Sequence, residues 1–302
     1  MNLWQSAVWQ KVLKSTLQVE KVIEHNGIFI QKRSLWLWQF WLFICGIDTK
    51  KVLDEQELIQ ICEQEKALFI QVETLSYSWE SFHDLWGKFK PWYFKKFITP
   101  YTATIDLQQT DAEILANMKP KWRYNIKLAY KKWVICKIVK KSDKNIKVFT
   151  QLMQETTTRD WFSWHDYMYY KTFLHTLDES ELILAYLDDQ IIAGWIYVFR
   201  TDVSYYYYGA SSSDKQYRNL MAPYAVQWTA IQHAQSLGSK LYDFLWVAWE
   251  WEDYDASLAW VTDFKKKFWP EILKVSKSVM YINNLLKYKM FCFFKNINKK
   301  LR

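Results

Sequence analysis

Only six of the 302 residues are glycine, so the backbone has few places where it can turn through the left-handed region at low cost. Ordinary usage is about 7% glycine. The chain also holds 19 tryptophans, and the two residue types together come close to that ordinary share. Several tryptophans stand where turns are expected. Trp133 lies between a basic helical stretch and the β-branched run VICKIV, where a helix commonly ends on glycine. Trp161 sits in TRDWFSWHD, Trp246 follows LYDFL, and Trp269 precedes Pro270. An indole suits such positions poorly. Two readings stay open. One is a literally aromatic-rich protein, which 20 tyrosines and 18 phenylalanines support. The other is a gene whose UGA codons specify glycine and are read as tryptophan.

Half the residues are hydrophobic and 24% are charged, enough for a buried core and too apolar for a disordered chain. The length suggests two domains of roughly 150 residues each. Cys45, Cys62, Cys136 and Cys292 are far apart and form no CxxC pair, which argues against a disulfide scaffold or structural zinc. The five histidines show no metal-binding spacing and no serine or cysteine motif that would complete a triad. MNLWQSAVWQKVLK lacks the apolar region of a signal peptide, and the longest apolar stretch, Leu35 to Ile47, is too short to span a bilayer. A cytoplasmic chain is expected.

Helical spacing predicts a helix over residues 1–24, a hairpin between Gly27 and Ile47, a helix from Asp54 to Glu65 and the strand ALFIQVET. TATIDL reads as a strand, followed by a helix from about Asp111 that breaks at Pro120. The second half repeats the plan: helices in NIKVFTQLMQETTTRD and DYMYYKTFLHTL, the antiparallel pair ELILAYLDD and QIIAGWIYVFR, the strand SYYYYGASS, a helix from Pro223 and the strand KLYDFLWV. Two related α+β domains follow from this loose repeat, with the lysine-rich stretch Lys137 to Lys147 as the boundary.

MKPKWRYNIKLAYKKWV resembles the K-x-R-Y-N-I-R-x-A-x-K-K-G-V segment of the Fem family, the non-ribosomal peptidyltransferases that build peptidoglycan interpeptide bridges. Thr158-Arg159-Asp160-Trp161-Phe162 is similar to the family's TRDGF, and YYYYGASSSDKQYRNLMAPYAVQW to its strand–GAS–RNL–helix segment. Tyr242-Asp243-Phe244-Leu245-Trp246 and the run from Trp260 to Trp269 resemble YDF-x-G and G-V-x-x-F-K-x-x-F-G, and LWQSAVWQKV the family's opening. The family pattern has glycine at 133, 161, 246, 260 and 269, and this chain has tryptophan at each.

The resemblance implies two tandem GNAT-like domains without a coiled-coil insertion: residues 1–140 with 281–302, and residues 141–280. It implies transfer of an amino acid from aminoacyl-tRNA to the stem peptide of a peptidoglycan precursor, UDP-linked or lipid-linked, with aminoacyl-tRNA as co-substrate and no cofactor; a monomer is expected, although the sequence itself gives no oligomeric state. Orientation and oxyanion stabilisation dominate such chemistry, because the ester is already activated. Lys265 matches the family's functional lysine and follows Phe264; the bland alternative is a solvated run of three lysines. Arg218 lies at a strand-to-helix turn and is a candidate for phosphate contact, or else a surface arginine. Tyr217, Tyr224 and Tyr242 are candidates for the cleft wall or the core. Arg159 is a candidate for substrate contact, although an ion pair with Asp160 is favoured; Arg123 and Asn125 divide evenly between the two roles.

A net charge of +8 and a pI near 9.0 suit polyanionic partners, tRNA and anionic membrane surfaces among them. The C-terminal basic amphipathic stretch either packs on the first domain, the favoured reading, or lies on the inner face of the membrane. Two other functions remain. A GNAT-type N-acyltransferase using an acyl thioester is disfavoured by the absence of glycine at the Arg218 turn. A non-catalytic RNA- or membrane-binding protein of the same fold would bind tRNA without transfer.

Overall fold

The computed structural model describes residues 2–35, 38–48, 54–77, 87–160, 164–248 and 258–300. The chain divides into two units, Met1–Pro100 with Lys274–Arg302, and Tyr101–Leu273.

The first unit opens on a 3-10 turn and helix α1 (Ala7–Ser15), capped by the Ser6 hydroxyl accepting from Trp9 N–H. The expected helix over 1–24 is shorter than predicted. Thr16 caps it, Leu17 adopts φ +55°, and Gln18 N–H reaches back to Leu13 O. The chain then runs through β1 (Lys21–His25), β2 (Ile28–Ser34), β3 (Phe40–Ile47), α2 (Glu55–Gln64) and β4 (Phe69–Thr74). Asp54 caps α2 through Gln56 N–H and Glu57 N–H. β1, β2 and β3 are antiparallel, and the α2 crossover sets β4 parallel to β3.

The second unit contains β5 (Tyr101–Asp106), α3 (Asp111–Asn117), α4 (Pro120–Lys131), β6 (Val134–Val139), α5 (Asp143–Asp160) and α6 (Tyr167–Thr176). It continues through β7 (Ser180–Leu187), β8 (Gln190–Val198), β9 (Val203–Ser211), α7 (Lys215–Arg218), α8 (Ala222–Ser236), β10 (Leu241–Asp243), α9 (Ala259–Lys266) and β11 (Glu271–Lys274). Its sheet runs β11-β5-β10-β9-β8-β7-β6. Thr110 and Glu113 form a capping box on α3, and Pro120 stands at the start of α4, so the predicted break there is a new helix N-terminus. β10 spans three residues; the segment expected to extend it, 244–247, is not strand, although Phe244 N–H still donates to Ala103 O of β5 at 2.8 Å. The chain then returns to the first unit as β12 (Ser278–Ile282), antiparallel to β4, and α10 (Leu285–Lys300).

The repeat read from the sequence is present in the pairing. Three antiparallel strands, a helical crossover to a parallel fourth and an antiparallel fifth make β1-β2-β3-β4-β12 in one unit and β7-β8-β9-β10-β5 in the other. The units change over at residues 100/101 and 273/274, not at 140 and 280. The physical reason is strand pairing. β5 bonds β10 and β6 bonds β7, so residues 101–140 build the second sheet, while β12 bonds β4 and takes residues 278–280 into the first.

Scarce glycine shows in the backbone. Among the described residues, nine other than glycine hold φ between +49° and +62°, three of them Trp38, Trp133 and Trp269. Leu17, Lys66, Trp133 and Gly238 each take the left-handed position just past a helix end, and one of the four is glycine. The expectation that tryptophan occupies glycine-type turns therefore holds at Trp133 and Trp269, and Trp38 joins them. It does not hold at Trp246, where the neighbour Leu245 carries φ +54°; Trp260, a glycine position of the family pattern alone, lies inside α9. Trp161 lies outside the described residues. At Gly209 the demand is one of space: a Cβ there would collide with the Tyr206 hydroxyl and the Trp195 indole nitrogen.

Candidate functional site

Helix α9 turns Thr262 and Lys265 inward, Phe268 follows at the same spacing just past its end, and all three are buried. Thr262 Oγ1 accepts from Ala248 N–H at 2.8 Å, fixing the segment after β10 against the helix. Phe268 packs on Phe244, ring centroids 5.5 Å apart, and on Tyr224 at 5.9 Å. Between these anchors Lys265 is 2% exposed. It donates to Leu245 O at 2.7 Å and Trp246 O at 2.8 Å, and lies 5.7 Å from the centre of the Tyr206 ring.

Asp243 shapes the carbonyl pair. Its Oδ1 accepts from the Thr102 hydroxyl and, at 2.7 Å, from Leu245 N–H, closing the turn over which both carbonyls face Lys265. Burial lowers the Lys265 pKa from 10.5 to about 7, with the Asp243 charge opposing the fall. A lysine so poised changes charge near neutrality, which is unlike the solvated lysine run that the sequence alone allowed. Such displaced titration concentrates at functional sites.

The structure brings Phe264 and Tyr224 to the same place. Phe264 is half-buried with its ring 5.8 Å from Tyr224, which stacks on Trp122 of α4 at 5.8 Å and 8°. Lys267 Nζ lies 5.0 Å from the Trp122 ring, giving the aromatic wall a cation. Tyr217, partly buried, packs on the same core cluster, while Arg218 is exposed at the end of α7.

Other candidates take structural places. Tyr242 is fully buried and donates to Gln227 Oε1 at 2.5 Å, so it is a core residue and no cleft wall. Arg159 makes the favoured pair with Asp160, Nε to Oδ1 at 3.0 Å and Nη2 to Oδ2 at 2.8 Å, beside a 640 Å³ cavity that it shares with Glu155 and Ser213. Arg123 donates to the carbonyls of Leu115, Ala116 and Met118 and so caps the end of α3. Asn125 is buried at a hydrogen bond with Tyr224.

Asp243, Thr102, Thr262 and Tyr206 are the residues that sequence reasoning missed. The signal for Asp243 was present, since an acid between Tyr242 and Phe244 in a strand enters the core. Among the described residues no cluster of His, Cys, Asp and Glu could hold a metal ion, and no helix is long and apolar enough to cross a membrane.

The FemAB family model matches residues 47–190 and 180–296. Among solved structures, FemX superposes with a TM-score of 0.80 at 18% identity, covering 96% of this chain and 94% of FemX. L-PGS from Bacillus licheniformis gives 0.58 at 14% identity, covering 90% and 87%. A conserved protein of unknown function from Bacteroides thetaiotaomicron gives 0.60 at 10% identity, covering 90% and 89%. No curated protein sequence matches the chain. The fold is α+β, two units of like strand plan, and is that of FemX.

Proposed function

The chain belongs to the FemAB family, and from that premise we propose that it moves an amino acid from aminoacyl-tRNA to an amino group on the stem peptide of a peptidoglycan precursor. The observation that carries this reading is the burial of Lys265, the residue that the sequence resemblance matches to the family's functional lysine, and its hold by the carbonyls of Leu245 and Trp246.

In the transfer, the acceptor amine attacks the ester carbonyl. A C–N bond forms, the ester C–O bond breaks, and the amine's proton leaves with the ribose oxygen. The barrier lies at the tetrahedral intermediate, whose oxyanion needs a nearby donor in a dry site. An ammonium has three N–H bonds. Two of those on Lys265 go to the carbonyls, and the third is left for the oxyanion. Phe264, Tyr224, Trp122 and Lys267 supply an aromatic and cationic wall suited to the tRNA 3′ end, and exposed Arg218 suits a phosphate. Tyr217 is assigned to the same wall.

The test offers labelled aminoacyl-tRNA and UDP-MurNAc-pentapeptide to the wild type and to Lys265→Met. Label in the pentapeptide with the wild type alone supports the reading. Equal transfer by both removes Lys265 from the mechanism, and tRNA binding without transfer to soluble or lipid-linked acceptor removes the enzyme.

A further inference from the structure

Helix α10 carries two apolar stripes. Tyr288 and Phe291 form the inner one. Tyr288 meets Phe69 edge-on at 5.5 Å, and Phe291 meets Phe94 at 5.7 Å. Lys295 closes that side, its Nζ 4.2 Å from the Phe94 ring. This is the packing on the first unit that the sequence favoured.

The outer stripe is a second feature of the same helix. Leu286, Met290, Phe293 and Phe294 follow one another at i, i+4, i+7 and i+8, and are 71%, 52%, 62% and 39% exposed. Leu285 beside them is 55% exposed. Helical geometry sets the exposed Lys287 on one flank of this stripe and the exposed Lys289 on the other. The sequence of α10, LLKYKMFCFFKNINKK, contains five lysines and no acidic residue.

We propose that this outer stripe docks α10 in the plane of an anionic lipid surface, with Leu286, Met290, Phe293 and Phe294 entering the headgroup–acyl boundary and Lys287 and Lys289 reaching the lipid phosphates. Charge decides the occupant. A second copy of the chain packed face to face would bring lysine rows against lysine rows, which disfavours a symmetric dimer through this face. Aliphatic and aromatic side chains flanked on both sides by lysines, with no carboxylate to repel phosphate, have the pattern of an interfacial helix. The long lysine stems lie along the apolar boundary while their ammonium groups stay in water. The tryptophan question does not touch this helix, which contains none. The inference also stands apart from the transfer chemistry, because it rests on the helix alone.

Flotation of the full chain with vesicles at about 0.1 M salt tests it, comparing equal parts phosphatidylglycerol and phosphatidylcholine with phosphatidylcholine alone. The wild type is expected to float with the anionic vesicles and at least about tenfold less with the neutral ones. Leu286→Gln with Phe293→Gln is expected to lower anionic partition at least about tenfold, and Lys287→Gln with Lys289→Gln to remove most of the preference for phosphatidylglycerol. Unchanged melting of both variants shows that the fold is intact. The proposal is overturned if the wild type stays with the soluble fraction, or if the Leu286/Phe293 variant floats as well as the wild type. A dimer in ultracentrifugation that the same pair of changes dissolves, without any effect on flotation, would make the stripe an interface between copies.

Discussion

Lys265 Nζ lies 2.7 Å from the carbonyl oxygen of Leu245, a residue whose φ of +54° places it in the left-handed region. A buried cation of the second unit is thus held by a residue with a left-handed backbone. Burying a cation destabilises a fold unless it is well paired, and here two neutral carbonyls and the field of Asp243 offset only part of the cost, since the Lys265 pKa still falls to about 7.

Lys265→Met is therefore expected to abolish transfer while raising stability at neutral pH by about 1–4 kcal/mol. The folded pKa of about 7 lies below the unfolded 10.5, so the unfolded chain holds more protons between those values. The burden of Lys265 is full below pH 7 and eases as pH rises toward 10.5. Denaturant midpoints of the two proteins should differ most at pH 7 and below. A destabilised methionine variant would contradict this.

The pH dependence of transfer separates two roles for the same lysine. An ammonium that stabilises an oxyanion must be charged, so kcat is expected to fall as pH rises through about 7. Asp243 supports that charge, and Asp243→Asn should move the falling limb to lower pH. A limb that rises through the same range would make the neutral amine the working form and Lys265 a base.

Glu73 makes a prediction for the first unit. Its carboxylate is fully buried and accepts from Ile98 N–H at 2.8 Å, Phe97 N–H at 3.1 Å and Gln71 Nε2 at 3.0 Å. Burial raises its pKa from 4.5 to about 7 against the pull of those donors. The folded state holds the extra proton in that window, so the stabilisation present below pH 4.5 is lost as pH rises through about 7. Urea midpoints should fall between those values in the wild type and flatten in Glu73→Gln. Parallel curves would remove Glu73 as the cause.

Trp133 and Trp269 have left-handed backbones and are 78% and 55% exposed, so their indoles return little packing for the strain. Glycine at either position is expected to stabilise by about 1 kcal/mol, measured by thermal melting. If UGA specifies glycine in the source cell, peptides of the native protein spanning these positions will have glycine's mass. Tryptophan's mass in both peptides would show that the sequence is literal.

Much of this was legible in the residues. The hairpin of β2 and β3, the α2 crossover with Asp54 at its cap, and the break at Pro120 follow from local pattern and cap chemistry. Lys265 was singled out through its motif, but its burial was not legible, because three consecutive lysines look solvated and only α9 packing on 244–248 takes one of them inside. Tyr242 misled for a related reason: a tyrosine beside a functional motif is equally suited to a core where Gln227 waits for its hydroxyl. The unit boundary was hidden because long-range strand pairing sets it. Nothing near residue 101 tells β5 to join β10, 135 or more positions later.

That long-range pairing also orders events at the ribosome. β4 emerges early, yet its partner β12 is made after the whole second unit. Throughout that interval one side of β4 has unsatisfied backbone groups, and Phe69 and Phe94 lack the rings that Tyr288 and Phe291 later bring. The unit translated first is thus the one completed last, and for most of synthesis the nascent chain presents a sticky strand edge for which the cell's chaperones would be the natural cover.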